Sequence, residues 1–233
     1  MHLQLPSEGI ADVWCCNGGR NSRSMASHCP AERFLEEILS RYLGSDPKTV
    51  RVVRDPLGKP TIASPPSTRL GFSVSYSKDD LFVAVASARI GADVEDEDDH
   101  VRLDEVARRW LHPGEARRVA TSSPRDRLHR FFQAWTLRES YLKAIGTGFR
   151  TAANAPEIVP ADTEALCGDT ICLGHVLLDQ KRHLAVATNF PPRCFRIFHF
   201  GAANPAWRSG ELPSHAGRKS TDPSLLPTAW RIR

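Results

Sequence analysis

Two stretches of this 233-residue chain hold carboxylates and an amine at spacings suited to a metal ion and to phosphate. Gly91-Ala92-Asp93-Val94-Glu95 reads as a strand, and alternation then sends Asp93 and Glu95 to one side while Ala92 and Val94 pack the other. Two hard oxygen donors so placed suit Mg²⁺, which takes a few carboxylates and completes its octahedron with phosphate and water. Trp135 to Ala144 reads as helix, with Glu139 and Lys143 four residues apart and therefore neighbours on one face. That pair would add a third carboxylate and, one turn on, an ammonium for phosphate charge. Taken singly, each stretch has a plainer meaning: an acidic strand end is usually just solvated, and an i,i+4 pair is usually a weak surface ion pair. A calcium loop starting at Asp93 is excluded, because Asp98 stands where an EF-hand needs glycine and Asp104 where it needs glutamate. Two loops could also meet phosphate. Gly58-Lys59-Pro60 fixes a lysine on a stiff turn, and Gly146-Thr147-Gly148 lets backbone come close to a ligand. His112 and the other histidines show no metal-ligand spacing and read as structural.

The elements that must carry these residues follow from periodicity. Strands are expected at Val13–Cys16, Val50–Val53, Phe72–Tyr76, Leu81–Ser87 and Ile90–Glu95, the third and fourth forming a hairpin around Ser77-Lys78-Asp79-Asp80. A helix over Ala31–Leu43 carries Phe34, Leu35, Ile38, Leu39 and Tyr42 at helical spacing, between Pro30 and Gly44. Further helices are expected at Leu103–Trp110, Pro113–Ala120 and Arg130–Ile145. The last has the stripe Phe131, Trp135, Leu142, Ile145 and a stop at Gly146. Strands at Ile171–Leu178, His183–Thr188 and Cys194–Phe200 complete an α+β chain. From Ala202 the composition turns to Pro, Ser, Gly and Arg, so a disordered tail is expected over 202–233.

Composition bounds the function. Formal net charge is +4, too little to argue for nucleic acid, but its distribution is uneven. Six of the seven residues from Asp93 to Asp99 are acidic, whereas Arg102 to Arg130 holds eight arginines against Asp104, Glu105, Glu115 and Asp126. That split suggests a cation site beside a basic face for an acidic macromolecule. Cys15, Cys16, Cys29, Cys167, Cys172 and Cys194 show no zinc spacing and read as free thiols. Neither an apolar run long enough to cross a bilayer nor a secretory h-region at the start is found, so a cytoplasmic protein is expected.

Taken in order, the segments resemble the 4′-phosphopantetheinyl transferases of the surfactin-synthetase-activating (Sfp) type. The resemblance rests on Gly58-Lys59-Pro60, Phe72-Ser73-Val74-Ser75-Tyr76-Ser77, Ile90-Gly91-Ala92-Asp93-Val94-Glu95, Arg109-Trp110-Leu111 with Glu115, and Trp135 through Gly148. It implies a pseudo-dimer of two similar α+β halves, residues 1–100 and 101–201, with the active site in the cleft between them. It implies that Asp93, Glu95 and Glu139 hold Mg²⁺ against the pyrophosphate of coenzyme A, the substrate. Lys143 would meet phosphate charge on the departing 3′,5′-ADP, while Lys59, Pro60, Ser75 and Tyr76 would hold the nucleotide end. Glu139 would take the proton of the acceptor serine on an acyl or peptidyl carrier protein. The protein would be a monomer with no nucleic-acid or membrane partner. The chain departs from the family pattern where Tyr76 replaces a histidine, where Arg138 replaces a lysine, and where Glu36-Glu37 falls in a region often basic. Two other classes would use the same residues: a metal-dependent phosphohydrolase, or a nucleic-acid-binding module built on the arginines. The second lacks the exposed aromatics that stack bases.

Overall fold

The apolar periodicities become two units, each with its own sheet, in a computed structural model that describes residues 2–16, 31–66, 69–148, 155–160, 171–190, 194–201, 204–211 and 230–232. In chain order the elements are β1 (Ile10–Cys16), α1 (Ala31–Leu43), β2 (Arg51–Arg54), β3 (Pro60–Ser64), β4 (Gly71–Ser77), β5 (Asp80–Ala86), β6 (Ile90–Asp96), α2 (Leu103–Trp110), α3 (Pro113–Thr121), α4 (Arg127–Ile145), β7 (Ile158–Pro160), β8 (Cys172–Leu177), β9 (Arg182–Thr188), β10 (Cys194–Gly201), β11 (Asn204–Glu211) and β12 (Trp230–Ile232).

The first unit comprises Met1–Ile90 and Arg193–Leu226. Its sheet runs β11-β10-β1-β5-β4. β1 lies at the centre, parallel to β10 and antiparallel to β5, and its residues from Ala11 to Cys16 are all buried, as a strand covered on both faces must be. Helix α1 lays Phe34, Ile38, Leu39 and Tyr42 onto Trp14, Phe72, Leu81, Val83 and Val85. Beneath this core a polar group is fully partnered: Trp14 Nε1 donates to Tyr42 Oη at 2.8 Å, Tyr42 donates to Asp12 at 2.6 Å, and Arg196 grips Asp12 at 2.6 and 2.9 Å. Burial, reinforced by the Asp12 charge, pushes the Tyr42 phenol far above its ordinary range, so it stays a neutral donor.

The second unit comprises Gly91–Pro192 and Pro227–Arg233, with sheet order β6-β9-β8-β12-β7. Helix α4 packs Leu137 and Ala144 against Ile158, Leu173, Ala185 and Ala187, and joins α2 and α3 in a cluster of Ala107, Leu111, Val119, Phe131 and Phe132. Gly146 ends α4 in the left-handed conformation at φ 79°, where glycine pays no steric cost.

The α+β class stands, and α1 and α2 match the sequence bounds. Other expectations change. The units divide after Ile90 rather than after residue 100, and the strand at Cys194–Gly201 returns to the first unit because it pairs with β1. Within the tail expected to be disordered, Asn204–Glu211 pairs with β10, and Trp230–Ile232 pairs with β7 and β8. Of the two, β11 is the edge strand of its sheet, whereas β12 lies between β8 and β7; backbone hydrogen bonds hold both in segments that a Pro-, Ser- and Gly-rich average passes over, and 212–229 lie outside the described residues. Cys15 and Cys16 are buried and Cys172 and Cys194 half-buried; Cys29 and Cys167 lie outside the described residues. No described helix is long and apolar enough to cross a membrane.

Candidate active site

The site is built where β6 meets α4 in the second unit. Gly91 is the residue that lets them meet: a Cβ there would stand 2.1 Å from the Ser140 carbonyl oxygen and 2.2 Å from the Ala144 nitrogen. Both neighbours are helix backbone, which cannot swing away. With the strand seated this closely, Ala92 and Val94 are buried, and Asp93 and Glu95 come together with Glu139 from the helix. One oxygen from each of the three carboxylates lies within 4.8 Å of the others, the spacing at which a single cation reaches all three. Asp93 is buried, and Glu95 and Glu139 are half-buried.

Burial is the first cause that raises the Glu95 carboxyl to about 8, followed by the charges of Asp93 and Glu139. Glu139 is raised to about 7 by burial and then by Asp93. The Trp135 indole N–H points at Glu95 Oε1 from 3.4 Å. One ammonium answers these charges. Lys143 Nζ donates to Asp93 Oδ1 at 2.6 Å and stands 3.6 Å from Glu139 Oε2. Burial works against its charge, but Asp93 and Glu139 more than compensate and hold the ammonium above its ordinary range. Among the described residues, three crowded carboxylates meet one ammonium, and a bound cation would relieve the burial and mutual repulsion that raise Glu95 and Glu139. An all-oxygen, anionic donor set of this kind fits Mg²⁺.

The expected motif glutamate, Glu115, has a supporting part. Arg138, fully buried, donates to it through Nε at 2.7 Å and Nη2 at 2.6 Å, and also to the Pro156 carbonyl at 3.1 Å. Glu115 further accepts from the Ile158 N–H at 2.7 Å and from the His112 N–H at 3.2 Å, closing a capping box at the start of α3. Arg138 therefore ties α4 to α3 and β7 rather than facing a ligand. Of the eight arginines from Arg102 to Arg130, Arg102, Arg118 and Arg127 are paired with Glu105, Glu157 and Asp104.

The remaining expected residues are in the first unit. Lys59 follows a turn in which Asp55 Oδ1 accepts from the Leu57 and Lys59 N–H groups at 2.9 Å each, and Gly58 has φ 88°. Burial and then the nearby Arg89 charge lower the Lys59 ammonium from its ordinary value, so two cations share this region. Sequence reasoning passed over Arg89, since it lies in no motif. Pro60 begins β3. Ser75 and Tyr76 are consecutive on β4 and so face opposite sides: Tyr76 packs on the α1 core, while Ser75 is buried on the other face.

The segment from β6 to β9, which holds the three carboxylates and Lys143, is also the one that comparison with known proteins picks out. Residues 89–186 match the sequence model of the 4′-phosphopantetheinyl transferase superfamily. Curated proteins similar to this chain carry the same description. The 4′-phosphopantetheinyl transferase HetI of Nostoc sp. is 33% identical over 117 residues, covering 49% of each chain. The 4′-phosphopantetheinyl transferase of Bacillus subtilis is 29% identical over 117 residues, covering 50% of each chain. The 4′-phosphopantetheinyl transferase gsp of Aneurinibacillus migulanus is 24% identical over 128 residues, covering 53% of this chain and 50% of its own. The chain thus spans about half the length of the curated relatives it matches.

Proposed function

We propose that the protein is a magnesium-dependent 4′-phosphopantetheinyl transferase, moving the phosphopantetheine arm of coenzyme A onto a serine of an acyl or peptidyl carrier protein and releasing 3′,5′-ADP. The observation that carries this reading is the meeting of Asp93, Glu95, Glu139 and Lys143 at one buried place inside the superfamily domain. Asp93, Glu95 and Glu139 would hold the cation, which when bound supplies charge neutralisation at the pyrophosphate. The serine oxygen attacks the pantetheine-bearing phosphorus, that phosphorus–oxygen bond to the nucleotide phosphate breaks, and 3′,5′-ADP leaves with the electron pair. Glu139, directly or through one water, takes the serine proton. Lys143 meets the negative charge that grows on the leaving phosphate. Lys59, Pro60, Ser75 and Tyr76 are assigned to the nucleotide end, and Arg89 joins Lys59 in meeting its phosphates. The same reading takes the protein as a cytoplasmic monomer of the Sfp type, with a pseudo-dimer internal to the chain and no nucleic-acid or membrane partner.

The competing reading is a phosphohydrolase that activates water with the same carboxylates. Release of 3′,5′-ADP from coenzyme A separates the two. A transferase releases it in proportion to added apo carrier protein, whereas a hydrolase releases it with no acceptor at all.

A further inference from the structure

A second cluster of metal-ligating side chains lies in the same unit, apart from the three carboxylates. Glu97 immediately follows β6, His129 is in the first turn of α4, and His183 is near the start of β9. Both imidazoles point at one carboxylate oxygen: His129 Nδ1 lies 3.0 Å and His183 Nε2 3.1 Å from Glu97 Oε1. All three ligand atoms fall within 4.8 Å of one another. A tetrahedral ion at about 2.0–2.2 Å from each donor needs donor separations of roughly 3.2–3.5 Å, a change of a few tenths of an ångström from the two short edges.

The surroundings hold these groups in place. The Glu97 N–H donates to the Lys181 carbonyl at 2.8 Å, and next to it Arg182 clamps Asp96 at 2.9 and 2.8 Å. His183 is fully buried, and from behind, its Nδ1 lies 3.0 Å from His175 Nε2. Metal-ligating histidines are oriented by such a bond on their other nitrogen. Without a cation, His175 Nε2–H can donate to His183 Nδ1, and His183 Nε2–H to Glu97. If both rings change tautomer, His183 donates through Nδ1 to His175 Nε2 and its Nε2 lone pair is freed, with no change in charge. His129, with 40% of its side chain exposed, gives an ion a way in and leaves room for water in a fourth position.

We infer that Glu97, His129 and His183 form a second cation site, taking a zinc-class divalent ion rather than Mg²⁺. Two imidazole nitrogens and one carboxylate suit Zn²⁺ and its neighbours, whereas Mg²⁺ prefers an all-oxygen shell. This site stands independently of the proposed transfer reaction.

The test is a titration of the full, metal-stripped chain with Co²⁺ and then Zn²⁺ in saturating Mg²⁺. One Co²⁺ per chain is expected, with the visible absorption of a four- or five-coordinate ion, no near-ultraviolet thiolate band, and displacement by one Zn²⁺. His129→Ala, at a half-exposed ring, and Glu97→Gln, of the same shape, should each weaken Zn²⁺ binding about tenfold or more while the metal-free melting temperature stays near wild type. Equal Zn²⁺ affinity in wild type and both variants would overturn the assignment. So would displacement of Co²⁺ by Mg²⁺, or a thiolate band carrying the bound ion.

Discussion

Replacing Gly91 by alanine tests how the site is assembled. The new methyl would lie 2.1 Å from the Ser140 oxygen, 2.2 Å from the Ala144 nitrogen and 2.9 Å from the Ala144 Cα, against an ordinary contact of at least 3.4 Å. Since the obstacles are backbone of α4, the strand and helix must part by about 1 Å. Alanine in a strand gains about 0.5–1 kcal/mol over glycine, but overpacking costs about 1–3 kcal/mol or more, so the net change is a loss. In a chain of this size each kcal/mol is roughly 2–4 °C of melting temperature. The same separation draws Asp93 and Glu95 away from Glu139, and a misplacement of about 1 Å can cost about 100-fold in rate. Thermal melting and Mg²⁺ calorimetry would be run together on Gly91→Ala and wild type. Unchanged melting and unchanged Mg²⁺ affinity would refute the claim that Gly91 sets the distance between strand and helix.

Three further outcomes follow. Glu95 has a folded pKa raised to about 8, so in metal-free protein its contribution to stability is full below the unfolded value and is lost as pH rises through the folded one. Glu95→Gln should therefore melt higher than wild type by a margin that grows from about pH 4.5 to pH 8; a margin constant across that window would show that Glu95 does not titrate there. Lys59→Ala should weaken coenzyme A binding by about 1.5–3 kcal/mol and Tyr76→Phe by about 0.5–1.5 kcal/mol, measured by calorimetry. The structure sharpens that comparison, because the Tyr76 ring packs on the core, and no loss in Tyr76→Phe would assign it to packing alone. Arg138→Met removes one partner of a fully buried pair and leaves the Glu115 carboxylate with only backbone donors, which should cost about 3–5 kcal/mol in urea unfolding. A cost under about 1 kcal/mol would mean that Glu115 is solvated in the variant.

How much of this was legible in the residues depends on range. Strand alternation at Asp93 and Glu95 and helical spacing at Glu139 and Lys143 are local, and each pair faces its neighbour as the spacing requires. What local patterns could not give was register between elements. Arg138 read only as an arginine in place of the family's lysine, and nothing local showed that it is spent on Glu115, 23 residues away. The histidines showed no metal spacing because His183 and Glu97 are 86 residues apart and meet only through the sheet. β1 gave no sign that its parallel partner would be a strand beginning at Cys194, since neither sequence encodes the other's position. The paired strands after residue 202 were hidden by a composition poor in apolar residues, although backbone hydrogen bonds need none.

The most direct test of the central claim is the intact mass of apo acyl and peptidyl carrier proteins after incubation with the protein, coenzyme A and Mg²⁺. A carrier serine should gain one phosphopantetheine. The gain should vanish when Mg²⁺ is chelated, and nearly so with Asp93→Ala, Glu95→Ala or Glu139→Ala, each of which should remain folded. Unmodified carriers across the panel, with coenzyme A cleaved at the same rate in their absence, would contradict it.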